Sequence, residues 1–126
     1  MLFRSLPHSR RALELAGAAG VPVIHFGTDT ATFLEDFAAA GGDVIGVDWR
    51  IPLDAAWERI GPRQAIQGNL DPATLLAPRA TLDARVRDIL SRAGRRPGHI
   101  FNLGHGVLPE TPVEALQAVV DLVHGC

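Results

Sequence analysis

The chain has 126 residues, about one domain's length, and its 47% hydrophobic and 21% charged content excludes a disordered or collagen-like polypeptide. No run approaches the ~18 apolar residues of a membrane span, and Met1-Leu-Phe-Arg-Ser-Leu-Pro7 has too short an apolar stretch for a signal peptide. A net charge of −2 gives no global basic field for nucleic acid or a membrane surface, and the one cysteine, Cys126, excludes a disulfide scaffold and a thiolate metal cage. Every basic residue is arginine and tyrosine is absent, a bias read as codon usage and not as function.

Residues 9–19 are expected to be helical, with Ala12, Leu15, Ala16 and Ala19 on one stripe and Gly20 as the stop. Val21-Pro-Val-Ile-His-Phe26 is β-branched and reads as a short buried strand, with Pro22 near its start. A helix over 30–40 follows, with Thr28 or Asp29 as its cap and Phe33, Leu34 and Phe37 as its apolar stripe. Val44-Ile-Gly-Val47 is the second strand and leads into Asp48-Trp49-Arg50. Pro52 opens a short helix that carries Ala55, Ala56 and Trp57 and stops at Gly61. Gln64-Ala-Ile-Gln-Gly68 is a weaker third strand. Asp71 as N-cap and Pro72 at the first helical position start the next helix, which Pro78 breaks. A longer helix over 79–93 puts Leu82, Val86, Ile89 and Leu90 on one face. His99-Ile-Phe-Asn-Leu103 is the fourth strand, and Thr111-Pro112 caps a last helix with Val113, Leu116, Val119, Val120 and Val123 as its apolar residues.

Strands rich in Val and Ile, without polar alternation and separated by helices, are what a parallel sheet covered on both faces requires. Two α/β architectures fit. One is an open doubly wound sheet with strand order 2-1-3-4. The other is half of a (β/α)8 TIM barrel, a fold that needs about 250 residues when whole. In both, function belongs at the carboxyl ends of the strands.

Those ends are Gly27-Thr28-Asp29, Asp48-Trp49-Arg50, Gly68-Asn69-Leu70-Asp71 and Gly104-His105-Gly106. His105 is the most informative residue. The flanking Gly104 and Gly106 remove side chains, so imidazole and backbone can approach a ligand. An imidazole there can hydrogen-bond a carboxylate or exchange a proton near neutral pH; the plain alternative is a turn histidine bonded to the backbone. Gly104-His105-Gly106 can also cradle a phosphate, but Pro109 occupies the third glycine position of a dinucleotide motif. Asp48 can act as a base or ligand clamp but is expected to cap its turn or pair with Arg50. Trp49 is expected to pack and not to stack on a ligand, and Asn69 to bond a loop backbone or a ligand. His25 and His99 sit in strands among apolar neighbours and read as core or edge histidines. Arg95-Arg96 reads as a solvated loop pair. With no His-x-His, His-Glu-x-x-His or Cys-x-x-Cys, a metal site is not expected. There is no Gly-x-Ser-x-Gly either.

Together the strand ends resemble one family. Val21-Pro-Val-Ile-His-Phe-Gly27, Asp43-Val-Ile-Gly-Val-Asp-Trp49, Ile66-Gln-Gly-Asn-Leu-Asp-Pro72 and Ile100-Phe-Asn-Leu-Gly-His-Gly106 look like the last four strands of uroporphyrinogen decarboxylase, in order and at the right spacing. The likeness runs from Leu6 to His124. It implies a TIM barrel, a cytoplasmic lyase of porphyrin and haem biosynthesis, no cofactor, and decarboxylation of the four acetate side chains of uroporphyrinogen to give coproporphyrinogen. It also implies that His105, with Gly104 and Gly106, lines the tetrapyrrole cleft, where His105 would hydrogen-bond a substrate carboxylate or assist proton transfer.

The sequence departs from the family in one large respect. The family's paired arginines, central aspartate, and cleft tyrosine and serine lie in the first half of the barrel, and none of those motifs is present here. Arg10-Arg11 fall in a helix and do not inherit the arginine role. The chain therefore reads as the C-terminal half, strands five to eight, with Met1 inside the preceding helix. Such a half is expected to pair with a separate N-terminal half or with itself, and to lack decarboxylase activity alone. The competing readings are a non-catalytic half-barrel that binds a tetrapyrrole or a protein, and a relative of the cobalamin-dependent methyltransferases, whose zinc-binding His and Cys set a chain with only Cys126 does not match.

Overall fold

The computed structural model describes residues 2–126, so the expectation about Met1 lies outside the described residues. Five helices and four strands alternate: α1 (Leu2–Gly17), β1 (Ile24–Phe26), α2 (Leu34–Ala39), β2 (Val44–Gly46), α3 (Leu53–Ile60), β3 (Ala65–Leu70), α4 (Arg79–Ala93), β4 (His99–Leu103) and α5 (Val113–His124). Short 3-10 turns at Ala31–Phe33 and Pro72–Leu76 precede α2 and α4.

All strand pairs are parallel and the spatial order is β1-β2-β3-β4. This order rejects the doubly wound alternative. Right-handed crossovers that always step to the next strand place every intervening helix on one face of the sheet, as in an arc of a (β/α)8 barrel.

The register shows the two faces. His25, Ile45, Ile66 and His99 align in one row. That row meets the helices: His25 stacks on Phe37 of α2, and His99 lies against Trp57 of α3. Ile45 and Ile66 are fully buried there, together with Leu34, Leu53, Ala56, Leu82 and Val86. Each such aliphatic side chain contributes about 1.5–3 kcal/mol through burial. The next row, Phe26, Gly46, Gln67 and Ile100, points to the opposite face, and its ends are open, so the expected cover on both faces is not present among the described residues. Phe26 is 45% exposed and Ile100 42%.

The best punctuated elements fall where the sequence puts them. α4 starts after Pro78 and ends at Gly94, whose left-handed φ of 63° ends the helix. Asp71 caps the Pro72–Leu76 turn by accepting from the Ala73 N–H at 2.9 Å, although that turn is 3-10 and not α.

Four expectations need correction. The first strand is shorter than the Val21–Phe26 run and is not buried: β1 is an edge strand flanked only by β2, and Val21, Ile24 and Phe26 are exposed. The first helix begins at Leu2, earlier than expected, and accommodates Pro7. Its foreseen stripe of Ala12, Leu15, Ala16 and Ala19 is exposed; Leu6, Ser9 and Leu13 are its half-buried positions. Thr28 and Asp29 cap nothing: Thr30 holds the N-cap position of the turn before α2, with no side-chain bond to it. On the last helix, Val113 and Val120 remain exposed, and the cap position is Pro112 with no side-chain bond.

Candidate functional site at the strand ends

β2 ends in Asp48-Trp49-Arg50, and almost everything at the rim is tied to Asp48. Its side chain is 1% exposed. Oδ1 accepts the Arg50 backbone N–H at 3.1 Å. Oδ2 accepts Arg50 Nη1 at 2.6 Å and the Asp29 backbone N–H at 2.8 Å. A buried carboxylate needs such partners, because desolvation otherwise costs several kcal/mol, on the order of that for any unpaired buried ion. So the expected pairing of Asp48 with Arg50 is present, and Asp48 also fastens the loop after β1 to the loop after β2.

Asn69, 5% exposed at the end of β3, completes the scaffold. Its Nδ2 donates to the Asp48 carbonyl at 2.9 Å and the Ile51 carbonyl at 2.7 Å. Of its two expected roles, loop bonding is the one observed, and β3 extends to include it. β4 then closes against the same loop. The Gly104 N–H donates to the Leu70 carbonyl at 2.7 Å. A Cβ on Gly104 would lie 2.6 Å from the Trp49 nitrogen, so only glycine lets the ends of β2 and β4 meet across β3. Gly106 has open space around its Cα and is under no such packing constraint.

His105 is exposed on this rim. Its ring stands edge-on to Trp49, with centroids 6.3 Å apart and planes at 88°. The Arg50 guanidinium covers the Trp49 ring at 4.3 Å from its centroid. His105, Trp49 and Arg50 thus form one row running from β4 to β2. Arg50 Nε continues it to β1 through Asp29 Oδ1 at 3.0 Å. Trp49, Arg50, Asn69 and Asp71 also line a cavity of about 340 Å³ between the β2 and β3 loops and α4.

The other histidines stay outside the rim. His99 Nε2 lies 2.9 Å from the Gly68 carbonyl, a satisfied strand histidine as expected. His25 is pressed on Phe37, and burial lowers its pKa. Arg95 and Arg96 are exposed in the loop after α4, as expected, and the Arg96 guanidinium also lies over the Trp57 ring at 4.0 Å. The residues that sequence reasoning undervalued are Asp29 and Arg50. A charged residue on each of two strand-end loops was the available signal.

With the geometry in place, comparison with known proteins decides the lineage. The family model described as uroporphyrinogen decarboxylase (URO-D) matches residues 3–126. The chain belongs to the uroporphyrinogen decarboxylase family. A uroporphyrinogen decarboxylase from Sorangium cellulosum is 61% identical over 94% of this chain and 34% of its own length. One from Solibacter usitatus is 60% identical over 93% of this chain and 34% of its own. One from Carboxydothermus hydrogenoformans is 54% identical over 94% and 34%. The chain spans about a third of the length of these curated uroporphyrinogen decarboxylases and matches their C-terminal part. Among solved structures, a methyltransferase from Methanosarcina mazei superposes with a TM-score of 0.78, covering 93% of this chain and 35% of that one at 21% identity, which shows a shared fold. None of the described helices is long and apolar enough to cross a membrane.

Proposed function

We propose that this chain supplies the C-terminal wall of a uroporphyrinogen decarboxylase site and binds the tetrapyrrole without turning it over alone. Exposed His105 in the Gly104–Gly106 turn, held at the strand-end rim against Trp49, is the observation that carries the reading. The chemistry suits such a wall. Protonating a pyrrole carbon makes the ring an electron sink; the bond between the acetate methylene and its carboxylate breaks, carbon dioxide leaves, and the ring takes up the electron pair. A proton then adds to the exocyclic methylene to give the methyl group, and the ring carbon releases the proton it had gained. No cofactor is required. The protein must bind an acidic macrocycle, orient it and manage protons. His105 is assigned a hydrogen bond to a substrate carboxylate or a proton-transfer role, with Gly104 and Gly106 giving close approach. The family's arginine and aspartate motifs are not among these 126 residues, so turnover by the chain alone is not expected.

The uncovered sheet face supports a partner. Ile24, Phe26 and Ile100 are 48%, 45% and 42% exposed on it, and β1 and β4 are edge strands with unpaired backbone groups. We assign that face to the N-terminal part of a family polypeptide, because the relatives are about three times as long. Size-exclusion chromatography with the N-terminal two-thirds of the Sorangium cellulosum relative should give a one-to-one complex; a self-dimer that ignores the added segment would reject the assignment.

The functional reading is tested by titrating the chain with uroporphyrin and repeating with His105→Ala. A lost charged hydrogen bond weakens binding by about tenfold or more. Equal affinity in the two proteins removes His105 from the site.

A further inference from the structure

Arg50 presents an anion-binding group that no part of the fold consumes fully. Nη1 is bound to buried Asp48 at 2.6 Å and Nε to Asp29 at 3.0 Å. No hydrogen bond to Nη2 occurs among the described residues. The guanidinium is held by Asp48 through Nη1 and by the face of Trp49, while the Arg50 backbone N–H on Asp48 Oδ1 fixes the base of the side chain. Its side chain is nevertheless 42% exposed and lines the rim cavity. A rigid, forked cation with open donors suits a carboxylate.

Asp29 has the opposite character. Its side chain is 71% exposed, and its backbone sits at a φ of 56°, a left-handed conformation that aspartate tolerates. The backbone N–H bond to Asp48 holds the loop, while the carboxylate itself is anchored only by Arg50 among the described residues. An exposed ion pair of this kind is weak and exchanges readily.

We propose that Arg50 binds a carboxylate of the tetrapyrrole, and that the Asp29 carboxylate occupies that position when the site is empty. The proposal rests on the tetrapyrrole reading above and adds a second anchor to His105, with Trp49 in contact with both. Arg50 acts by binding; Asp48 is the positioning residue behind it.

The test titrates the full chain with uroporphyrin I, which carries eight carboxylates, with its octamethyl ester, and with benzenehexacarboxylate. Tryptophan fluorescence and porphyrin absorbance report binding, and far-UV circular dichroism reports folding. The octaacid is expected to bind at least about tenfold tighter than the ester, and Arg50→Gln to lose about tenfold. Asp29→Asn removes the competing carboxylate and should tighten binding about threefold. It changes an exposed side chain, so it carries the test even if Arg50→Gln leaves Asp48 unpaired and the chain unfolds. A folded Arg50→Gln with unchanged affinity overturns the proposal while the tetrapyrrole reading stands. Equal binding of acid and ester, or an Asp29→Asn variant that binds no tighter, does the same. If only benzenehexacarboxylate binds, and Asp29→Asn tightens it, the carboxylate site stands and the tetrapyrrole reading falls. If neither acid binds, both fall.

Discussion

The two faces of the sheet carry similar residues in different surroundings. On the helix side, Ile45 and Ile66 are fully buried; one residue along, Ile24 and Ile100 are 48% and 42% exposed. Side-chain chemistry is nearly the same and the backbone is shared, so packing alone separates them. The helix side is the core that stabilises this chain. The other side has barrel-interior character without a barrel around it, and exposed apolar surface of that kind marks an interaction surface.

The largest effect should come from the covered face. Ile66→Ala removes a side chain with no room to collapse and should cost about 2–5 kcal/mol in chemical denaturation. Ile100→Ser on the open face should change stability by no more than about 0.5 kcal/mol and raise solubility. Comparable losses at both positions would show that the open face is packed in solution, which would favour self-association. Next in size is Asn69→Ala, which breaks two buried bonds to the Asp48 and Ile51 carbonyls and should cost about 1–3 kcal/mol. The same variant should weaken uroporphyrin binding, because it loosens the loop that holds Trp49 and Arg50.

Smaller effects separate the histidines and the edge of the sheet. Burial lowers the His25 pKa below its ordinary 6.5, so protonation favours the unfolded chain. The stability this contributes is present above 6.5 and is lost as pH falls below it. Stability measured against pH should therefore decline across that range in the native chain and stay flatter in His25→Phe, which keeps the stacking on Phe37. An equal slope in both would place the titration elsewhere. The smallest effect belongs to Glu35, which Arg59 grips through two 2.6 Å bonds between α2 and α3. That side-chain hydrogen bonding lowers its pKa from 4.5 to about 2. Its contribution is present above 4.5 and fades as pH falls toward 2, and Glu35→Gln should remove that dependence.

How much could be read beforehand varies along the chain for physical reasons. α4 and β4 were legible to the residue, because Pro78, Gly94 and Gly98 punctuate them and their apolar periods are unambiguous. α1 was not, because periodicity names an apolar stripe without saying whether anything packs on it; Leu15 is 58% exposed. Strand ends are where an α/β sheet is expected to carry its site, and the two glycines around His105 make it the candidate. The Asp48–Arg50 pair is local and followed from spacing. The Asp29–Arg50 contact joins residues from different βα units, so it emerges only when parallel strands align their ends. Asp29 also looked like a helix cap, a competing local role that hid the long-range one.

The account rests on binding without turnover at this rim. The most direct measurement is anaerobic size-exclusion chromatography of the purified chain incubated with uroporphyrinogen, followed by analysis of the tetrapyrrole in each fraction. The prediction is a tetrapyrrole that elutes with the protein and retains all its carboxylates. Coproporphyrinogen in the protein fraction, or a tetrapyrrole that elutes entirely apart from the chain, would contradict it.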